Sequence, residues 1–140
     1  MANKERQYCT PFAELIDRLT VDQIKEVLIP EQKESFAKEM EMLSHDIDLI
    51  IEERWLKLSA RLLRIIIVIA QMNLHIWQNK DQMQKDPENY MNLLKLSHQL
   101  NGIRNQMKNL LLEETEDRDK SAQRTNFDTD GLEGWDVSIR

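Results

Sequence analysis

The chain is predicted to be all-α, and three observations carry that expectation. Its 140 residues include only three Gly and three Pro, too few for the turns of a β-sandwich or the glycine loops of a nucleotide-binding sheet. Between residues 31 and 86 there is neither Gly nor Pro, and apolar residues recur every three or four positions, the spacing of one helical face. A second stripe of the same period runs through Tyr90, Leu93, Leu94, Leu100, Ile103, Met107, Leu110 and Leu111. A chain of this length makes one domain.

Thr10-Pro11 reads as a cap followed by a first-turn proline, whose missing N–H would be unpaired there anyway. It opens a helix with Phe12, Leu15, Ile16 and Leu19 on one face. Thr20, with Gln23 three residues on, then starts a second short helix in a capping-box pattern. Ile24, Val27 and Leu28 form its apolar face, and Pro30 ends it. The stripe over residues 31–86 includes Phe36, Met40, Leu43, Ile47, Ile51, Trp55, Leu58, Leu62, Ile65, Ile69, Met72 and Ile76. It is either one helix of ~75 Å or two that break near Ser44, Asp46 and Asp48, which are weak helix formers. Residues 62–70 are apolar nearly all round, the mark of a core helix. Asp86-Pro87 repeats the start signal, and the short connection there predicts a long antiparallel hairpin. Two short N-terminal helices cannot cover the stripe from residue 43 to residue 62. That predicts a homo-oligomer joined along it.

Charge divides the chain in two. The net charge is −6. Residues 113–140 hold nine acidic residues against Arg118, Lys120, Arg124 and Arg140, a net of −5, and residues 1–112 are close to neutral. The expected organisation is a helical domain over 1–112 and an acidic, mostly disordered tail over 113–140. Phe127, Leu132 and Trp135, with Val137 and Ile139, make that tail a docking arm. Its target is the helical body, a neighbouring subunit or another protein partner. No concentrated basic stripe is present, so nucleic acid is not an expected partner. Cys9 is the one cysteine, which excludes an intrachain disulfide and a cysteine metal cage. Residues 1–7 lack an apolar signal core, and residues 62–70 fall short of the ~20 that span a bilayer. A cytoplasmic protein with no membrane span, no metal and no cofactor is expected.

A polar strip should accompany the apolar one on the hairpin. With the turn near Pro87, Asn73 lies level with Asn101 and Trp77 with His98, and Arg104 follows one turn on. Asn73, Trp77 and Asp81 share a face at i, i+4 and i+8, as do His98, Asn101, Asn105 and Lys108 at similar spacing. One reading is a ligand cleft with a titratable His, a carboxylate and an Arg. The other is a solvated face, or a buried network that fixes helix register.

The segment Glu14-Leu15-Ile16-Asp17-Arg18-Leu19-Thr20, with Lys25 after it, resembles the GELID-K-(T/S)-I opening of small helical proteins encoded in bacterial surface-polysaccharide gene clusters. Asn73-x-x-x-Trp77-x-x-x-Asp81 and Leu100-Asn101-x-x-Arg104-Asn105 resemble the N-x-x-x-W and N-x-x-R-N/D signatures of those proteins. The resemblance covers two pieces of the chain. It departs at Phe12-Ala13, where that family carries a Gly, and in the long middle helix. It implies an all-helical fold and a glycan-related context, implies no reaction, and adds Glu14 and Asp17 to the candidate residues.

Helical metalloenzyme templates fit poorly. No Glu-x-x-His occurs, as a di-iron bundle needs. Glu52-Glu53 is followed by Leu56 and Lys57, so the third carboxylate of a nucleotide pyrophosphohydrolase helix is missing. Glu14-x-x-Asp17 and Glu114-x-x-Asp117 supply half of such a site. His45-Asp46 has no upstream His to complete a phosphohydrolase set, and His45, His75 and His98 lack ligand spacing. His98-x-Leu100-Asn101-Gly102 resembles the His-x-Leu-Lys-Gly helix of histidine-phosphotransfer domains. Asn101 replaces the Lys, and Ile103, Arg104 and Asn105 replace the small residues that follow. The leading expectation is a non-enzymatic assembly protein. A small glycan-pathway enzyme or ligand-binding protein using the polar cleft is the alternative, and phosphotransfer through His98 the third.

Overall fold

The computed structural model describes residues 4–115, 130–132, 134, 135 and 139. The fold is all-α, with no strand among the described residues. Four helices carry it: α1 (Phe12–Leu28), α2 (Lys33–Arg54), α3 (Ala60–Lys85) and α4 (Tyr90–Glu114). Helices α3 and α4 are the most extensively packed pair. Asn79 meets Ser97 across it, Asn73 meets Arg104, and Arg61 meets Glu114, a ladder that only antiparallel helices make. Helices α1 and α2 form a second antiparallel pair, in which Arg18 reaches Glu39 at 2.8 Å. Helix α1 is the shared element, since it lies on α2 and also contacts α3 and α4.

One apolar core joins all four helices. Leu15 of α1, Leu43 and Ile50 of α2, Ile65 and Ile69 of α3, and Leu100 and Leu111 of α4 are within one per cent of full burial. Burying side chains of this size contributes about 1.5–3 kcal/mol each.

Three element boundaries differ from the sequence expectation. The N-terminal region is one helix, not two. The Thr20 hydroxyl donates back to the Asp17 carbonyl at 2.7 Å, so it sits mid-helix instead of capping a new one. Pro11, not Thr10, holds the extended N-cap position of α1, with no side-chain cap bond. The stripe over residues 31–86 is two helices, but it breaks at residues 55–59 and not near Ser44, Asp46 and Asp48. Asp46 is fully buried, and its carboxylate accepts the backbone N–H groups of Gln7 and Tyr8, each at 2.7 Å. That tertiary partnership outweighs the low helix propensity of Asp. The break itself has a local cause: Ser59 caps α3, its hydroxyl accepting from Leu62 N–H at 3.0 Å.

Leu43, Ile47 and Ile50 are buried, and α2 lies on α1. The stripe expected to stay uncovered is thus covered at Leu43, Ile47 and Leu62 but open at Ile51, Trp55 and Leu58. Helix α3 is long and apolar enough, by length and composition, to cross a membrane, which the shorter run over 62–70 did not suggest. It also has Asn73 and Asn79 buried within it and packs on α1 and α4, as the core helix of a helical bundle does.

Candidate functional site: a charged node between three helices

Helices α1, α3 and α4 meet at a cluster of polar side chains. Arg104 of α4 donates Nη1 to the Asn73 Oδ1 of α3 at 3.0 Å. Asn73 is buried, and its Nδ2 donates to Asp17 Oδ1 and to the Thr20 hydroxyl of α1, each at 2.8 Å. One turn beyond Arg104, Lys108 is also buried and pairs with Glu14 at 2.5 Å and Asp17 at 3.6 Å. The node holds two carboxylates and two cations, so its charges are balanced. Such a set is stable in a low-dielectric interior only when each member has its partner.

Local sequence explains the convergence. Glu14, Asp17 and Thr20 recur at i, i+3 and i+6, which keeps them near one face of α1. Arg104 and Lys108 are one turn apart on α4, at i and i+4. Their faces meet because the apolar residues beside them, Leu15, Ile16, Ile103 and Met107, enter the core. Arg104 Nε is buried in the node and has no hydrogen-bond acceptor. It is the one orphaned donor there among the described residues.

Of the residues singled out in sequence, the structure brings Glu14, Asp17, Asn73 and Arg104 together. Asp81 is exposed and pairs with Lys85 at 2.9 Å on its own helix. Trp77 and Asn101 are half-buried and His98 is exposed. None of these three shares a hydrogen bond with the node among the described residues. Of the six residues expected to cluster, Asn73 and Arg104 are joined directly, and Asp81 pairs with Lys85 instead. A helix has several faces, and Asn73 points towards α1 while Asp81, two turns on, reaches solvent. Lys108 and Thr20 complete the node instead. The signal for Lys108 was its i, i+4 spacing from Arg104, whereas Thr20 reads equally well as a cap.

A second polar contact fixes the other end of the hairpin. Buried Asn79 donates to the Ser97 hydroxyl at 2.7 Å and to the Leu93 carbonyl at 2.5 Å. At the α1–α2 seam, Asp22 is buried and faces Glu39. Burial, then the Glu39 charge and hydrogen bond, push its carboxyl up to about 6 against the opposing pull of Lys25 and Arg18. Among the described residues, no group of three or more His, Cys, Asp or Glu side chains could hold a metal ion.

Tail residues lie on the helical body. Leu132 and Ile139 are buried in the common core. Trp135 meets His75 edge to face at 4.9 Å between ring centroids, and Gln99 donates to the Asp130 carbonyl at 2.8 Å. Phe127 and Val137 lie outside the described residues. The chain matches no protein-family model, no curated protein and no solved structure.

Proposed function

We propose that the protein is a non-enzymatic helical assembly protein that self-associates along the outer side of α3. One observation carries this reading. Leu63, Ile67 and Leu74 are 44%, 62% and 39% exposed, and their spacing of four and seven residues places them on one face. The opposite side of that helix, with Ile65, Ile69 and Met72, is committed to the core. A row of large aliphatic side chains left in water is the usual mark of an interface. The balanced charges of the node agree with a structural role for it, since nothing there stands ready as an acid, base or nucleophile. The test is light scattering at micromolar concentration. Wild type is expected as a dimer or larger, and Ile67→Asp as a monomer with unchanged helicity. A wild type that stays monomeric removes the reading.

A second reading, a small ligand-binding or glycan-pathway protein, is favoured by one atom: the orphaned Arg104 Nε. An anionic group could complete its bonding. Thermal-shift measurements with nucleotide sugars check this. A shift in wild type that Arg104→Ala abolishes would support it.

A further inference from the structure

The connection between α2 and α3 turns the chain at one end of the helical body, and its composition sets it apart. Residues 54–64 contain Arg54, Lys57, Arg61 and Arg64 and no acidic residue, in a chain whose net charge is −6. Between these cations Trp55 is 89% exposed and Leu58 71% exposed. Trp55 also has a backbone φ of 52°. It follows the last residue of α2, where the Leu56 N–H closes the helix onto the Ile51 carbonyl at 3.1 Å. Glycine is favoured at that left-handed position because a β-carbon crowds the backbone there. The indole gains no burial in return. Neither packing nor backbone geometry accounts for a tryptophan at this site, and strain kept without a folding benefit points to function.

Beside it lies a cleft of about 550 Å³, lined by Arg54, Trp55, Leu56, Lys57, Ser59, Glu114 and Thr115. Its acidic wall is already engaged, as Glu114 holds Arg61 at 2.6 Å. Arg54 donates to the Thr115 carbonyl at 3.5 Å on the cleft wall. The carboxylates nearest in sequence are Glu52 and Glu53, on the last turn of α2.

We propose that this tip is a peripheral docking site for an anionic lipid surface. Trp55 and Leu58 enter the boundary between headgroups and acyl chains, where an indole is preferred. Lys57, Arg54 and Arg64 meet the lipid phosphates and carboxylates, their aliphatic stems lying along the apolar layer. An acidic peptide would be held by the cations without needing two large apolar side chains standing off the protein. The tip is at the end of the body and the row of Leu63, Ile67 and Leu74 runs along its side, so this proposal does not depend on self-association.

The experiment is co-sedimentation of the full chain with phosphatidylcholine vesicles, with and without phosphatidylserine. Binding to the phosphatidylserine vesicles is expected, weakening as salt is raised. Trp55→Gly relieves the backbone, so it should fold at least as stably as wild type and keep its oligomeric state while its partitioning falls about tenfold. Lys57→Glu with Arg64→Glu should abolish the preference for phosphatidylserine. Equal binding to both vesicle types, or undiminished binding of Trp55→Gly, overturns the proposal. So does binding of polyglutamate or single-stranded DNA without vesicle binding, which would assign the tip to an acidic macromolecule.

Discussion

Arg104 and Asn73 are joined across the α3–α4 seam at 3.0 Å, and through Asn73 the guanidinium is linked to Asp17 on a third helix. Apolar packing tolerates small slips along a helix axis, whereas a hydrogen-bonded chain through three helices does not. The node therefore sets register. Arg104→Ala should cost about 1–3 kcal/mol, because Asn73 Oδ1 loses its donor in the interior. Thermal melting should show a drop of several degrees. An unchanged melting temperature would mean the node is a wet surface contact.

Lys108 gives a sharper test of the same node. Replacing it by Met keeps the stem but leaves Glu14 and Asp17 without their cation. The single change should destabilise by about 3 kcal/mol, since it strands charge near the interior. Adding Glu14→Gln to Lys108→Met should recover part of that loss. Strictly additive effects in the double-mutant cycle would show that the two residues are not coupled.

Asp46 ties the N-terminal segment to α2. It is fully buried, accepts two backbone N–H groups, and lies 3.5 Å from Arg6. Asp46→Ala should orphan both donors and release residues 4–9. Hydrogen exchange at Gln7 and Tyr8 should then speed up by orders of magnitude while α3 and α4 stay protected. Unchanged exchange at those two amides would show that the segment is held by other contacts.

The helical class and the antiparallel pairing of α3 with α4 were legible because both rest on local signals, periodicity and a short proline-marked turn. The position of the break was not, because tertiary contacts keep residues 44–48 helical and leave the local Ser59 cap to set the boundary. Asp46 stays helical only by virtue of the chain that folds back over it, which no local rule foresees. The node was half legible. Asn73 and Arg104 are polar interruptions of apolar stripes, so they stand out. Asp81 lies in the same pattern as Asn73 but reaches solvent, and periodicity alone does not say which positions meet α1.

Asp22 makes the stability of the α1–α2 seam depend on pH. Its carboxyl is raised from 3.8 to about 6, so the folded protein takes up a proton in that interval. The stabilisation from this group is complete below the unfolded value and is lost as pH rises through about 6. Asp22→Asn stays neutral throughout. It should be no better than wild type in acid and more stable by about 1 kcal/mol near neutrality. Denaturant melts across this range should show a flatter profile for the variant. An identical slope in both proteins would remove Asp22 as the source.

The tail residues on the helical body provide the last prediction. Leu132 and Ile139 are 9% and 7% exposed in the same core as Ile69 and Leu100. Trp135 adds the edge-to-face contact with His75, and the Asp130 carbonyl accepts from Gln99. Deleting residues 126–140 removes all of these at once. Uncovering two aliphatic side chains and an indole should cost several kcal/mol, a large part of the stability of a domain this size. The melting temperature should fall by about ten degrees or more. Leu132→Ala alone should reproduce about 2–4 kcal/mol of the effect, which separates packing from any bulk influence of the acidic residues. If the deletion leaves stability intact, the tail does not belong to the core. Its apolar residues would then have to be assigned to another surface.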